Sequence, residues 1–197
     1  STRYLIVILF FNAMKDNFDA CMKIIFKHEG GYVDHPDDPG GATNLGITHI
    51  TLRNWRGQRV SKADVKALPK AAAREIYRAN YWNKLECDDL PGGVDLVVFD
   101  MGVNAGPGRA ARMLQRLVDA DQDGAIGPIT LAADSRYGDA MGLVDEYSDE
   151  RLAYYKRLRH WDAFGVGWTR RTEETRTAAL DMADRSKPAP KAPSGGL

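Results

Sequence analysis

Apolar residues recur at spacings of three and four through Phe18, Cys21, Met22, Ile25 and Phe26, which predicts a first helix with one buried face. Advancing about 100° per residue, Glu29 falls in the middle of the same arc. Gly30 and Gly31 follow it, and glycine is the residue on which helices most often end. From Val33 to Gly46 the chain turns to Gly, Pro, Asp and Asn, the composition of turns around a short hairpin. Helical patterns resume after it. Thr48 can cap a short helix through Trp55, and Ser61 with Asp64 three residues later forms a capping box. Pro69 suits the first turn of a helix running to about Trp82, where its missing N–H costs nothing. Between Gly93 and Val103, Leu96, Val97, Phe99, Asp100 and Met101 make a helix that is apolar nearly all round, which belongs at the centre of an α domain.

The second half is helical too. Asn104-Ala105-Gly106-Pro107-Gly108 breaks the chain, and Ala110, Met113, Leu114, Leu117 and Val118 restart the helical period from Arg109. A turn-rich loop, Asp119–Pro128, separates it from a further helix, and two longer helices are predicted over Asp139–His160 and Thr169–Arg185. From Ser186 on, Lys, Pro, Ala, Ser and Gly leave too little apolar surface to fold. The other end is also atypical. Tyr4–Phe11 is an apolar run of eight residues, too short for a bilayer span of about 20. It has only Arg3 as a basic flank and no A-x-A-like cleavage site before Met14. Residues 1–13 therefore read as upstream or truncated sequence outside the fold, the alternative being a remnant of a membrane-directing segment. The expected organisation is a main unit over residues 14–108, a smaller helical unit over 109–185 and a disordered tail over 186–197. The fold class is mainly α with an α+β character, a helical bundle with a small β-hairpin beside the first helix.

Composition narrows the function. The 197 residues carry no net formal charge, with 44% hydrophobic and 27% charged positions, as in soluble globular proteins. Nothing in that balance points to nucleic acid, and no segment points to stable membrane insertion. Lys156, Arg157, Arg159, Arg170 and Arg171 gather late, but the acidic residues among them suggest a solvated helical surface. Cys21 and Cys87 lack metal-like spacing and read as free thiols.

Glu29 is the position that changes the picture. A carboxylate on an apolar stripe is partly desolvated, which favours its neutral form. The negative end of the helix dipole acts the same way. A carboxylic acid held protonated near neutral pH is what a glycosidic leaving oxygen needs. Glu75, Glu86, Glu146, Glu150, Glu173 and Glu174 lie mostly among Lys, Arg or Asp, and none precedes a Gly-Gly pair at the end of an apolar stripe.

The segments Lys27–Tyr32, Asp38–Thr48 and Asn104–Ala111 resemble glycoside hydrolase family 108, a group of N-acetylmuramidases found as phage endolysins and secretion-associated lysozymes. Residues 109–185 resemble the peptidoglycan-binding-like domain joined to such catalytic units, through Leu114-Gln115 and Asp123-Gly124-Ala125-Ile126-Gly127-Pro128-Ile129-Thr130. The resemblance implies a lysozyme-like catalytic domain over 14–108. It implies hydrolysis of the β-1,4 bond between N-acetylmuramic acid and N-acetylglucosamine, with Glu29 as the acid and peptidoglycan glycan strands as the partner. It also implies a bacteriolytic monomer that is made in the cytoplasm, acts in the periplasm or cell wall, and is exported through a holin or a dedicated secretion system. The rival from another class is a non-catalytic wall-binding or secretion-accessory protein that keeps the fold.

A second resemblance is to the Glu-x8-Asp-x5-Thr signature of phage lysozymes. Asp38 follows Glu29 after eight residues, but Thr43 follows Asp38 after four, one residue out of register. It stays open whether Thr43 or Asn44 faces the nucleophilic water. A glycosidase needs an acid and a second group that activates water or stabilises the oxocarbenium-like transition state. Asp38 in a polar turn suits the second role, although Asp-Asp-Pro-Gly is also a plain turn sequence. Tyr32, Trp82 and Asn104 are candidates for sugar contact. Core packing competes for the aromatics and a helix C-cap for Asn104, and Trp82 reads best as core. Asp119, Asp121, Asp123 and Gly124 imitate a calcium loop, but its closing glutamate is replaced by Thr130. No metal and no cofactor is expected.

Overall fold

The structure is a computed structural model that describes residues 17–34 and 41–186. The readings of residues 1–13 and of the tail beyond Ser186 lie outside the described residues, as does Asp38.

The described residues are mainly helical with one small sheet, as the α+β lysozyme-like class requires. The first helix (α1) covers residues 17–28, and its stripe is buried as the periodicity predicts: Phe18, Cys21, Met22 and Ile25 are all in the core. Phe18 meets Trp82 edge-on at 5.2 Å, and Trp82 meets Phe99 the same way at 5.2 Å. Trp82 is thus core, and its Nε1 donates to Asp88 Oδ1 at 2.9 Å. The helix stops at the Gly-Gly pair, but neither glycine takes the left-handed conformation of a C-cap. The glycines end α1 without that geometry.

Strands β1 (Thr43–Asn44) and β2 (Ile47–Thr48) form an antiparallel hairpin with Thr43 opposite Thr48 and Asn44 opposite Ile47. Leu45 and Gly46 both have positive φ, at 52° and 74°. This is the conformation a two-residue hairpin turn requires. Val33 adds a bridge to Thr43, with both backbone bonds at 2.8 Å.

Helix α2 (His49–Arg56) starts at the Thr48 cap, whose side chain accepts from Thr51 N–H. Helix α3 (Lys62–Lys66) has the full Ser61–Asp64 capping box. Pro69 is the N-cap of α4 (Lys70–Tyr77) and precedes its first turn. That helix continues to Trp82 as a π-turn over Arg78–Trp82. Two short 3₁₀ turns, Asn83–Leu85 and Cys87–Asp89, lead to α5 (Val94–Ala105), which is buried from Val94 to Gly102.

Helix α6 (Pro107–Leu117) begins on Pro107, and α7 (Pro128–Tyr137) begins on Pro128. Helix α8 (Ala140–Lys156) ends four residues before His160, and α9 (Trp161–Arg185) begins eight residues before Thr169. Gly165 and Gly167 disfavour a helix there by about 1 kcal/mol each, which is why the sequence reading starts too late. Gly165 is needed: a Cβ on it would lie 2.8 Å from the Trp161 ring.

Helix α5 packs against α6, α8 and α9, and α8 runs along α9. A single buried cluster extends from Phe18 through Leu114, Leu143 and Tyr155 to Ala179. The boundary expected between residues 108 and 109 lies in the first turn of α6. Among the described residues no helix is long and apolar enough to cross a membrane.

Candidate active site

Glu29 leaves the last turn of α1, where its N–H still donates to Ile25 O at 2.9 Å. Its side chain is one-fifth exposed. Oε1 accepts from Arg171 Nη1 at 2.8 Å. Oε2 lies on the side of the hairpin turn, 2.7 Å from where a Cβ on Gly46 would stand. A side chain at position 46 would also run into the Tyr77 hydroxyl. Glycine is required here twice over, for its φ and for the close approach. Tyr77 donates from its hydroxyl to Leu45 O at 3.0 Å, which ties the turn to α4. Burial pushes the Tyr77 phenol well up, and the Glu29 carboxylate adds to it. Tyr81, its ring 5.7 Å from that of Tyr77, is raised by the same two causes.

Arg171 belongs to the basic run that the sequence assigns to a solvated surface, and the structure corrects this. Its side chain is largely buried. Its Nε and Nη2 donate to Asp100 Oδ1 at 3.1 and 2.8 Å, and Asp100 is fully buried. Arg151 Nη1 donates to Asp100 Oδ2 at 2.6 Å. Burial alone would raise the Asp100 carboxyl, but the two guanidiniums hold it well below the usual carboxylate range. The chain of bonds continues. Arg151 Nε donates to the Tyr155 hydroxyl at 3.0 Å, and that hydroxyl donates to Asn104 Oδ1 at 2.6 Å. One network therefore joins Glu29 to Asn104 through Arg171, Asp100, Arg151 and Tyr155.

His28, next to the acid, is lowered by burial and by the Arg171 and Lys27 charges, against opposing pulls from Asp100 and Glu174. Its Nε2 is buried without a hydrogen-bond partner among the described residues.

The other candidates take distinct places. Thr43 sits half-buried on β1, bonded through its backbone to Val33. Asn44 is buried, and its amide donates to Val65 O and Lys66 O at 3.0 Å each, which anchors the hairpin to α3. Tyr32 is half-buried, with Lys66 Nζ 5.6 Å from its ring centroid. Asn104 is exposed inside α5, and the C-cap is Gly106.

Signals for Arg171 were present in the sequence. It lies three residues after Trp168 and four before Thr175, on the inward side of α9, and Asp100 on an otherwise apolar helix demands a buried cation.

Around the calcium-like loop, Asp123 Oδ1 accepts from Gln115 Nε2 at 2.7 Å and from Ala125 N–H at 2.9 Å. Gln115 also reaches Thr130 and Gly124, so this loop is laced to a buried amide. Among the described residues no group of three or more His, Cys, Asp or Glu side chains is placed to hold a metal ion.

The geometry combines one carboxyl oxygen held by a guanidinium with another beside a tight turn, at the mouth of a mainly helical core. Residues 22–106 match the glycosyl hydrolase 108 family. The solved structure of Brucella abortus SagA is similar at 52% identity, covering 86% of this chain and 97% of that one, with a TM-score of 0.78. No curated protein matches the chain. Likeness of that extent, on top of the family match, means that this chain belongs to the glycosyl hydrolase 108 family.

Proposed function

We propose that the chain is a peptidoglycan hydrolase, an N-acetylmuramidase that cleaves the β-1,4 bond between N-acetylmuramic acid and N-acetylglucosamine. The observation that carries this reading is the seating of Glu29. One of its oxygens is fixed by Arg171, and the other stands beside the Gly46 turn, in a chain of a glycosidase family.

In this mechanism Glu29 is the general acid. Because Oε1 accepts from Arg171, Oε2 is the oxygen that carries the proton to the leaving glycosidic oxygen. Asp38 activates or stabilises from the far side of the sugar ring, and Thr43 orients the attacking water. Both N–H donors of the Asn44 amide are held by α3, which favours Thr43 for that role. The outcome is inversion by single displacement, for which acid and base stand about 6.5–9.5 Å apart to admit water. The first-formed reducing end is then the α anomer, which NMR of fresh product reads directly; a β anomer formed first overturns the single displacement.

The protein acts in the periplasm or cell wall as a monomer, reached through a holin or a secretion system. The helices after residue 108 assist wall binding while also supplying Arg171. Turbidity of a purified peptidoglycan suspension tests the reading: Glu29→Gln is expected to abolish clearing while melting near the parent. Clearing by that variant within a few-fold of the parent would overturn the acid assignment.

A further inference from the structure

A cavity of about 450 Å³ opens beside the site, between α2, the π-turn and the start of α6. That size suits a small-molecule or single-sugar site. Its walls are of a particular kind. Trp55 from α2 is exposed to nearly half its surface. Tyr81 faces it from the π-turn. Asn54 and Asn80 add a side-chain amide each, and Lys84 is the one charged residue in the lining.

The π-turn explains how these groups come together. An extra residue in a helical turn re-aims the side chains around it, and such turns concentrate at functional sites. Here Trp82 stays in the core while Asn80 and Tyr81, two and one positions earlier, line the cavity. Packed side chains link its wall to the acid: Tyr81 packs on Tyr77, which holds the Leu45–Gly46 turn against Glu29.

Aromatic rings offer flat apolar faces to the C–H face of a pyranose, amides pair with hydroxyl and N-acetyl groups, and an ammonium pairs with a carboxylate. We infer that this cavity is a subsite for an N-acetylated sugar ring bearing an acid group, a muramyl unit whose lactyl carboxylate meets Lys84. The inference rests on the muramidase reading and assigns the sugar that this side of the site takes.

The test is binding, read separately from hydrolysis. In the Glu29→Gln protein, a tetrasaccharide of alternating N-acetylglucosamine and N-acetylmuramic acid with free lactyl carboxylates is titrated, with neutral chitotetraose beside it. The tetrasaccharide is expected to change tryptophan fluorescence, and Trp55→Phe to remove that change. Tyr81→Ala is expected to weaken binding of both sugars about tenfold. Lys84→Gln, an exposed position that leaves the core untouched, is expected to weaken the tetrasaccharide about fivefold and chitotetraose hardly at all. Unchanged tetrasaccharide affinity in Tyr81→Ala and Lys84→Gln would overturn the subsite, as would equal loss for both sugars in Lys84→Gln. If Glu29→Gln still clears peptidoglycan, the acid assignment fails, while the titrations still decide the subsite.

Discussion

Arg171 on the last helix donates to Glu29 at the end of the first, at 2.8 Å across 142 positions of sequence. The contact makes the acid depend on the far end of the chain. Arg171 is in turn held by the buried Asp100, which it shares with Arg151. A guanidinium fork bonded on two sides has few alternative positions. Glu29, bonded to that fork, inherits its fixity.

Arg171→Met is therefore expected to affect fold and activity together. It leaves Asp100 with Arg151 and Thr175 but removes a buried pair. A loss of about 3 kcal/mol in urea unfolding is expected, the low end for breaking a buried ion pair. Arg171→Lys keeps the charge and loses the fork. It is expected to fold near the parent and to lose about tenfold in turnover with little change in KM, since an ammonium cannot hold Asp100 and Glu29 in the same bidentate geometry. Parent-like turnover in Arg171→Lys would show that Arg171 only stabilises the fold.

Gly46→Ala tests the other side of the acid. A Cβ there meets the Tyr77 hydroxyl and Glu29 Oε2, in a backbone conformation with φ of 74°. The left-handed conformation alone costs about 1–2 kcal/mol for a non-glycine residue. Displacing the carboxyl by about 1 Å is expected to cost about a hundredfold in rate. Urea unfolding and peptidoglycan clearing measure the two losses. A variant that loses stability but clears at the parent rate would remove the turn from the site.

Much of this was legible in the sequence, for physical reasons. Phe18, Cys21, Met22 and Ile25 report their helix because a buried stripe must recur at the helical period. The Thr48 cap and the Ser61–Asp64 box are local, so local sequence reveals them. Glu29 stood out because it shares that stripe. What escaped was long-range. Arg171 looks like its exposed neighbours until its partner is known, and that partner, Asp100, is 71 residues away. The start of α9 was hidden by Gly165, whose poor helix propensity is outweighed by the Trp161 ring packed on it. The π-turn left no mark at all, since one extra residue in a helical turn changes spacing without changing composition.

Thr43 and Asn44 should separate cleanly. Asn44→Ala removes two buried hydrogen bonds to α3 and is expected to cost about 2 kcal/mol of stability. Thr43→Val keeps shape and loses the hydroxyl. It is expected to melt near the parent and to lose about a hundredfold in clearing, the lower range for a positioned proton-transfer partner. If Asn44→Ala instead loses activity without stability, the roles are reversed.

Far from the acid, a buried carboxyl on α7 ties stability to pH. Asp134 on α7 is buried, and its Oδ1 has no hydrogen-bond partner among the described residues. Burial raises its carboxyl to about 6. Unfolded, the same group titrates near about 3.9. A group whose folded pKa lies above its unfolded one favours the fold below the unfolded value, and that advantage is lost as pH rises through the folded value. The parent is therefore expected to lose about 2 kcal/mol through Asp134 between about pH 4 and pH 7. Asp95, buried and raised to about 7, contributes with the same sign, so only the difference between proteins isolates Asp134. Asp134→Asn cannot ionise. Urea unfolding at about pH 4 and about pH 8 is expected to show the variant gaining on the parent at the higher pH by about 2 kcal/mol. An equal difference at both pH values would mean that Asp134 is solvated in the folded protein.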